Sequence, residues 1–239
     1  MRKLSVISLL LALLYNTASC KKSTNEAVKI PLKVYTVRLD LQPTASGSNA
    51  IDNSKNIFLS LSEGRVFSIV DAATNAAKID VVTYDGTTNP SPIGNVHLIS
   101  PGGGTLSLQT APSIYLYKPT DGSSGSVKYV DIIGVNAWTV FNMTKIKEES
   151  GFNGFSVSQY NSLQYLDEYN QALSVIKKPG TDNSNVAKKI INTSTGTLFS
   201  TLFLFEYQSG GGTKTALAKV IDFKHTPNGY ITLEIKQPK

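Results

Sequence analysis

Apolar and polar residues alternate along this chain in short stretches that are bounded by turn residues. The clearest stretch begins at Tyr35, where one face carries Tyr35, Val37, Leu39 and Leu41 and the other carries Thr36, Arg38 and Asp40. A period of two residues predicts a β-strand that buries one face. Further β-rich runs occur at residues 57–61, 79–84, 95–99, 113–117 and 127–133, and together they predict a sheet-rich protein.

The C-terminal part of the chain has the strongest strand signals. Residues 198–207 are almost continuously apolar, a Ser/Gly-rich turn follows at 208–213, and residues 216–223 and 230–235 flank the turn at 226–229. An Asn-Gly pair between two such runs predicts a β-hairpin. In the last run Ile231, Leu233 and Ile235 alternate with polar residues, so this strand is expected to face a core.

Two other stretches have helical spacing. Ser68 and Asp71 start a short segment at 69–78, since a serine oxygen and a first-turn carboxylate satisfy the unpaired amides of a helix N-terminus. A longer amphipathic helix is predicted to follow the capping box at 156–159 and to end at 177–180. Its apolar positions are Tyr160, Leu163, Leu166, Tyr169, Leu173 and Ile176. We expect its tyrosines to pack in the core rather than to stack on a ligand.

These elements predict an α+β fold that is predominantly antiparallel β, with sandwich- or barrel-like sheets and with one short and one longer amphipathic helix. The folded part is expected to occupy residues 31–239, after a polar, aperiodic tether at 20–30. The pattern leaves open whether this part has one core or two lobes that meet near 134–138.

The N-terminus predicts an export signal. Arg2 and Lys3 precede an apolar run at 4–15, and small residues at 17–19 lead into Cys20, the only cysteine of the chain. The run is shorter than the 20 or so apolar residues that a membrane-spanning helix needs, and its basic start fits a secretory signal. The arrangement resembles a bacterial lipoprotein signal, which implies removal of residues 1–19 and acylation of Cys20. The alternative is an ordinary secretory signal that leaves an unmodified thiol.

The net charge alone excludes no class of partner, but the distribution of the charged residues argues against a nucleic-acid partner. The chain has 23 basic and 17 acidic residues for a net charge of +6, of which Arg2 and Lys3 in the leader contribute +2. The remaining basic residues are scattered and form no stripe of the kind that nucleic-acid binding requires. Lys21 and Lys22 are expected to lie against anionic lipid headgroups beside the anchor.

Several phrases of the mature chain resemble uncharacterised lipoproteins of the Bacteroidetes. They are residues 58–67, 79–82, 98–101, 196–199 and 229–235, and they consist of strand ends and turns rather than reactive groups. The resemblance implies a lipid-anchored envelope protein with an α+β domain and assigns no functional residue besides Cys20. In that group, acidic residues after the cysteine accompany surface export. Because Lys21 and Lys22 stand there instead, an outer-membrane protein that faces the periplasm is expected.

No motif predicts a metal or cofactor site. The two histidines, His97 and His225, lack a second ligand at metal spacing, and no Gly-x-Ser-x-Gly sequence is present. One hypothesis is therefore a non-catalytic module that binds an envelope protein or glycan through a loop or an aromatic patch, with Trp138 among the aromatic residues. The alternative is an envelope hydrolase of the glycosidase type, whose carboxylates, for example Asp80, Asp85 and Asp131, meet only in the fold.

Overall fold

The computed structural model describes twelve parts of the chain, namely residues 28–41, 54–85, 95–101, 117–120, 128–131, 140, 142–148, 152, 154–177, 188–192, 201–224 and 229–239. Its strands are β1 (Lys33–Asp40), β2 (Asn56–Ser60), β3 (Arg65–Ser68), β4 (Val81–Asp85), β5 (Asn95–Ile99), β6 (Tyr117–Thr120), β7 (Lys128–Asp131), β8 (Lys145–Glu148), β9 (Lys188–Asn192), β10 (Leu202–Ser209), β11 (Gly212–Lys224) and β12 (Tyr230–Gln237). The helices are α1 (Ile69–Ala72), which continues as a 3-10 helix (Ala73–Lys78), α2 (Val157–Ser162) and α3 (Leu166–Ile176).

The strands form two antiparallel sheets of five strands each and a two-stranded ribbon. Sheet I has the order β1-β12-β11-β10-β8, sheet II has the order β3-β2-β4-β5-β9, and the ribbon consists of β6 and β7. The fold class predicted from the alternation is therefore confirmed. The β10–β11 hairpin closes through Gly210 and Gly211 at φ angles of 61° and 79°, which glycine adopts without steric cost.

Sheet I packs one face against sheet II. Their shared core contains Leu39 from β1, Leu59 from β2, Val81 from β4, Phe205 from β10 and Leu233 from β12, all with no exposed surface. Leu39 is one of the positions that the period-two pattern assigns to the buried face, and Ile231, Leu233 and Ile235 lie in this core as predicted. The two sheets therefore share one continuous apolar core.

The opposite face of sheet I carries α2 and α3. Leu204 of β10 and Leu217 of β11 point to this side, where they pack with Tyr160 of α2 and Tyr169 of α3. Both tyrosines are completely buried, which confirms that they are core residues. The described chain is therefore layered as helices, sheet I and sheet II.

The prediction of one long helix is wrong in one respect, because the structure has two helices in this region, α2 and α3. The capping box at Ser156 and Gln159 forms as predicted, but α2 ends at Ser162, and the next residue, Leu163, has an extended ψ angle of 121°. Lys236 of β12 donates to the carbonyl oxygens of Tyr160 and Leu163 at 3.0 and 2.9 Å. The Tyr160 carbonyl also accepts from the Leu163 amide at 3.2 Å, the sheet supplies the remaining donors through Lys236, and α3 starts anew at Leu166.

Strands from both sides of residues 134–138 pair with each other. In sheet II, β9 pairs with β5, and in sheet I, β12 pairs with β1. Residues 134–138 themselves lie outside the described part of the chain, as do the leader and most of the tether. Within the described residues, no helix has the length and apolar character needed to cross a membrane.

Candidate functional site

A cleft of about 300 Å³ opens between α2 and α3, and we call it the α2–α3 cleft. Three buried side chains, Phe155, Leu163 and Ala172, give it an apolar floor. The remaining lining residues are Gln159, Ser162, Glu168, Gln171 and Val175. The lining is half apolar and half polar, and a concave surface of this mixed kind can hold a small ligand.

Helix caps fix two of the rim side chains. Gln159 Oε1 accepts a hydrogen bond from the Ser156 amide at 2.7 Å. Glu168 Oε2 accepts from the amides of Gln164 and Tyr165 at 2.7 and 3.1 Å. Each rim residue thereby satisfies unpaired amides at the start of a helix, so both side chains are oriented by backbone hydrogen bonds.

Two buried lysines of sheet I hold the other ends of the helices. Lys236, which is 6% exposed, donates to three carbonyl oxygens at the end of α2, those of Tyr160, Asn161 and Leu163. Lys147 of β8 donates to the carbonyl oxygen of Ile176 at 3.1 Å. A cation at a helix C-terminus is favourable because the last carbonyls carry partial negative charge. Burial lowers the pKa of Lys236, and the carboxylate of Glu234 opposes this shift.

A second polar cluster lies at the turn after β2, around a buried carboxyl group. Asp80 is 1% exposed, and its Oδ2 accepts a hydrogen bond from the Leu61 amide at 2.7 Å. Its Oδ1 accepts from Asn142 Nδ2 at 3.1 Å. Burial raises the pKa of Asp80 to about 7, while hydrogen bonds from Leu61, Asn142 and Ser62 oppose the rise.

The carbonyl oxygen of Leu61 accepts hydrogen bonds from two further side chains of this cluster. Tyr35 Oη donates to it at 2.8 Å and Gln237 Nε2 donates to it at 3.1 Å. Tyr207 Oη donates to Gln237 Oε1 at 2.9 Å, and burial raises the pKa of Tyr207 to about 12. Gly64 closes the turn at a φ of 69°, where an added Cβ would lie 3.1 Å from the Tyr35 ring. The cluster therefore joins β1, β10 and β12 to sheet II through one turn.

The predicted site residues fall in different places. Cys20, Trp138 and His225 lie outside the described residues, and His97 lies on β5 opposite Tyr84 and Ile190 in the two neighbouring strands. Of the proposed carboxylates, Asp80 is buried with both oxygens hydrogen-bonded inside the fold. Asp85 and Asp131 are the last residues of β4 and β7, and their side chains lie outside the described part of the molecule.

In the part of the chain that the structure describes, no three His, Cys, Asp or Glu side chains lie close enough together to hold a metal ion.

The sequence analysis missed the α2–α3 cleft because it treated residues 156–176 as one helix. The missed signal is Glu168, which stands three residues after Tyr165 and can cap a second helix start.

Comparison of this chain with known proteins identifies no relative. The chain matches no family model, no curated protein and no solved structure. The geometry of the α2–α3 cleft and the sequence of the N-terminus are therefore the observations on which a function can be argued.

Proposed function

We propose that this chain is an exported lipoprotein whose folded part is a non-catalytic binding module, with its ligand site in the α2–α3 cleft. The acylated Cys20 anchors it in the cell envelope, at the outer membrane and facing the periplasm. The partner is a glycan or a protein of the envelope. The observation that carries the proposal is the α2–α3 cleft, whose buried apolar floor is bordered by amide and carboxylate side chains.

The chemistry of the cleft suits a small neutral group with both apolar and hydroxyl or amide surfaces. Phe155 and Leu163 supply an apolar floor, against which the C–H face of a sugar ring or a short side chain can pack. Gln171 is exposed at the rim, and its amide offers both a donor and an acceptor. A volume of about 300 Å³ is at the small end of ligand sites, which favours one or two sugar rings or a dipeptide segment.

Binding assays with rim variants test the site. The probes are soluble peptidoglycan fragments and polysaccharide released from the outer membrane, titrated by calorimetry against residues 20–239 carrying Cys20→Ser. We expect the double variant Gln171→Ala/Val175→Ala to bind roughly tenfold more weakly, since it removes one hydrogen-bonding group and one apolar contact.

Asn170→Ala is the matched control, because Asn170 is exposed on α3 and does not line the cleft. Its affinity should equal that of the parent chain. If neither probe binds, a glycan partner is excluded and only an envelope protein is left as the ligand. If the double variant binds as tightly as the control, the cleft is not the ligand site and the proposal fails.

Mass spectrometry tests the anchor separately. The mature protein, purified from its native membrane fraction, should have lost residues 1–19 and gained the mass of acyl chains at Cys20. A Cys20→Ala variant should leave the membrane fraction. An intact thiol on a cleaved chain would make this a secreted protein without a lipid anchor.

A further inference from the structure

The chain enters the fold at a fixed point beside the α2–α3 cleft. The Leu32 amide donates to the Gln164 carbonyl oxygen at 2.9 Å, and the Leu166 amide donates to the Ile30 carbonyl oxygen at 2.8 Å. Pro31 and Tyr165 pair as an isolated β-bridge between these two bonds. The segment that leads from the tether into β1 is therefore tied to the turn between α2 and α3.

Apolar side chains are exposed along this entry segment, residues 28–34. Val28 is 88% exposed, Ile30 is 48% exposed and Val34 is 52% exposed. In the described part of the chain, these three belong to a set of seven large apolar side chains that are exposed. Single exposed apolar residues are ordinary on a protein surface, whereas neighbouring exposed apolar residues favour contact with another apolar surface.

The proposed lipid anchor at Cys20 indicates that the surface near this segment is the bilayer. Val28 is eight positions after Cys20, and a fully extended chain over eight positions spans at most about 28 Å. A flexible chain of eight residues spans only about 16 Å on average. An acylated Cys20 would therefore hold the entry segment close to the bilayer, nearer along the chain than any other described residue.

We propose that the entry segment is a membrane-contact surface, in which Val28, Ile30 and Val34 insert into the lipid interface beside the acyl anchor. This inference rests on the proposed acylation of Cys20. It orients the domain with the α2–α3 turn toward the bilayer, and it thereby presents the α2–α3 cleft at the membrane surface.

The contact is apolar rather than electrostatic. Lys29 and Lys33 lie in the segment, but Asp167 and Glu168 stand in the first turn of α3 next to Tyr165. Lys29 packs over the Tyr165 ring at 4.8 Å and Lys33 donates to the Ser62 carbonyl oxygen at 3.1 Å. The nearby acids offset the lysines, so the apolar side chains supply the attraction to lipid, whatever the headgroup charge.

Fluorescence quenching by lipid tests the contact. The lipidated protein is placed in vesicles of phosphatidylethanolamine and phosphatidylglycerol with brominated acyl chains, and it carries either Val28→Trp or Ile221→Trp. Ile221 is 38% exposed and lies near the bulge of β11, toward the other end of sheet I. The parent chain, whose one tryptophan is Trp138, supplies the background signal.

We expect quenching of the Val28→Trp emission to exceed that of Ile221→Trp by roughly threefold or more, since interfacial side chains reach the acyl boundary. Equal quenching in protein that floats with the vesicles would overturn this inference and leave the anchor intact. Failure to float would overturn the anchor together with this inference. A blue shift of Val28→Trp that depends on protein concentration without lipid would assign the surface to a second copy of the chain, and the inference would again fail.

Discussion

At the scale of single residues, Asp80 stabilises the turn after β2 by accepting a hydrogen bond from the Leu61 amide. The carbonyl oxygen of Leu61 in turn accepts from Tyr35 and Gln237 of sheet I, so this turn connects the two sheets. The carboxyl group of Asp80 is buried and accepts hydrogen bonds from Leu61 and Asn142. The sequence gives no sign of this role, because Asp80 stands beside the apolar run of β4 and resembles any acid at a strand end. Its partner Asn142 is 62 positions away, so only the fold brings them together.

The buried carboxyl group predicts a pH-dependent stability. Its pKa rises from 3.8 to about 7 on folding, so the folded state binds the proton more tightly than the unfolded state. The stability that Asp80 contributes is then fully present below about pH 4 and is lost as the pH rises to about 7. Between pH 5 and pH 8 the loss should amount to about 2–3 kcal/mol of unfolding free energy.

Urea unfolding of the parent chain and of Asp80→Asn across pH 5 to 8 measures this effect. The Asn side chain does not ionise, so its unfolding free energy should vary less with pH than that of the parent. Asp167→Asn, at an exposed position in α3, serves as the control and should keep the parent's pH dependence. Parallel curves for all three proteins would show that Asp80 is not the titrating group.

At the scale of elements, the sequence predicts those strands and helices whose pattern of apolar residues is local. The half-buried strands β1 and β12 alternate because one face packs on a core, and this alternation is visible in residues 35–41 and 230–235. The break between α2 and α3 depends instead on Lys236, which is 73 residues from Leu163. The local pattern offers a second helix start at Glu168, but the contact of Lys236 with the end of α2 forms only in the fold.

Lys236 should therefore stabilise the end of α2. In Lys236→Met the apolar stem is retained, but three backbone carbonyls lose a donor, and two of these hydrogen bonds are buried. We expect a loss of about 1–3 kcal/mol in unfolding free energy, because unsatisfied buried acceptors are costly. Amides of residues 163–166 should also exchange faster with solvent.

Lys214→Met is the matched control, since Lys214 is exposed on β11. Urea unfolding and hydrogen exchange of both variants make the comparison. If Lys236→Met is as stable as the control and exchange at 163–166 is unchanged, the capping lysine does not hold the helix break.

At the scale of the whole molecule, the two sheets share one core and should unfold together. Leu39 of β1 is completely buried in that core, with residues of sheets I and II around it. Leu39→Ala should lower the unfolding free energy by about 2–5 kcal/mol through lost burial and a cavity. Urea unfolding followed by NMR at the amides of Leu233 in sheet I and Val81 in sheet II measures each sheet separately.

Both amides should report the same midpoint in the parent chain, and Leu39→Ala should shift both midpoints equally, because neither sheet can keep its buried face covered alone. Val34→Ala is the control on the same strand, and since Val34 is 52% exposed its midpoints should stay near those of the parent. Strands from both sides of residues 134–138 meet in each sheet, so a boundary there would separate strands that pair. If Leu39→Ala lowers the midpoint at Leu233 and leaves the midpoint at Val81 unchanged, the sheets are independent folding units and the shared core does not couple them.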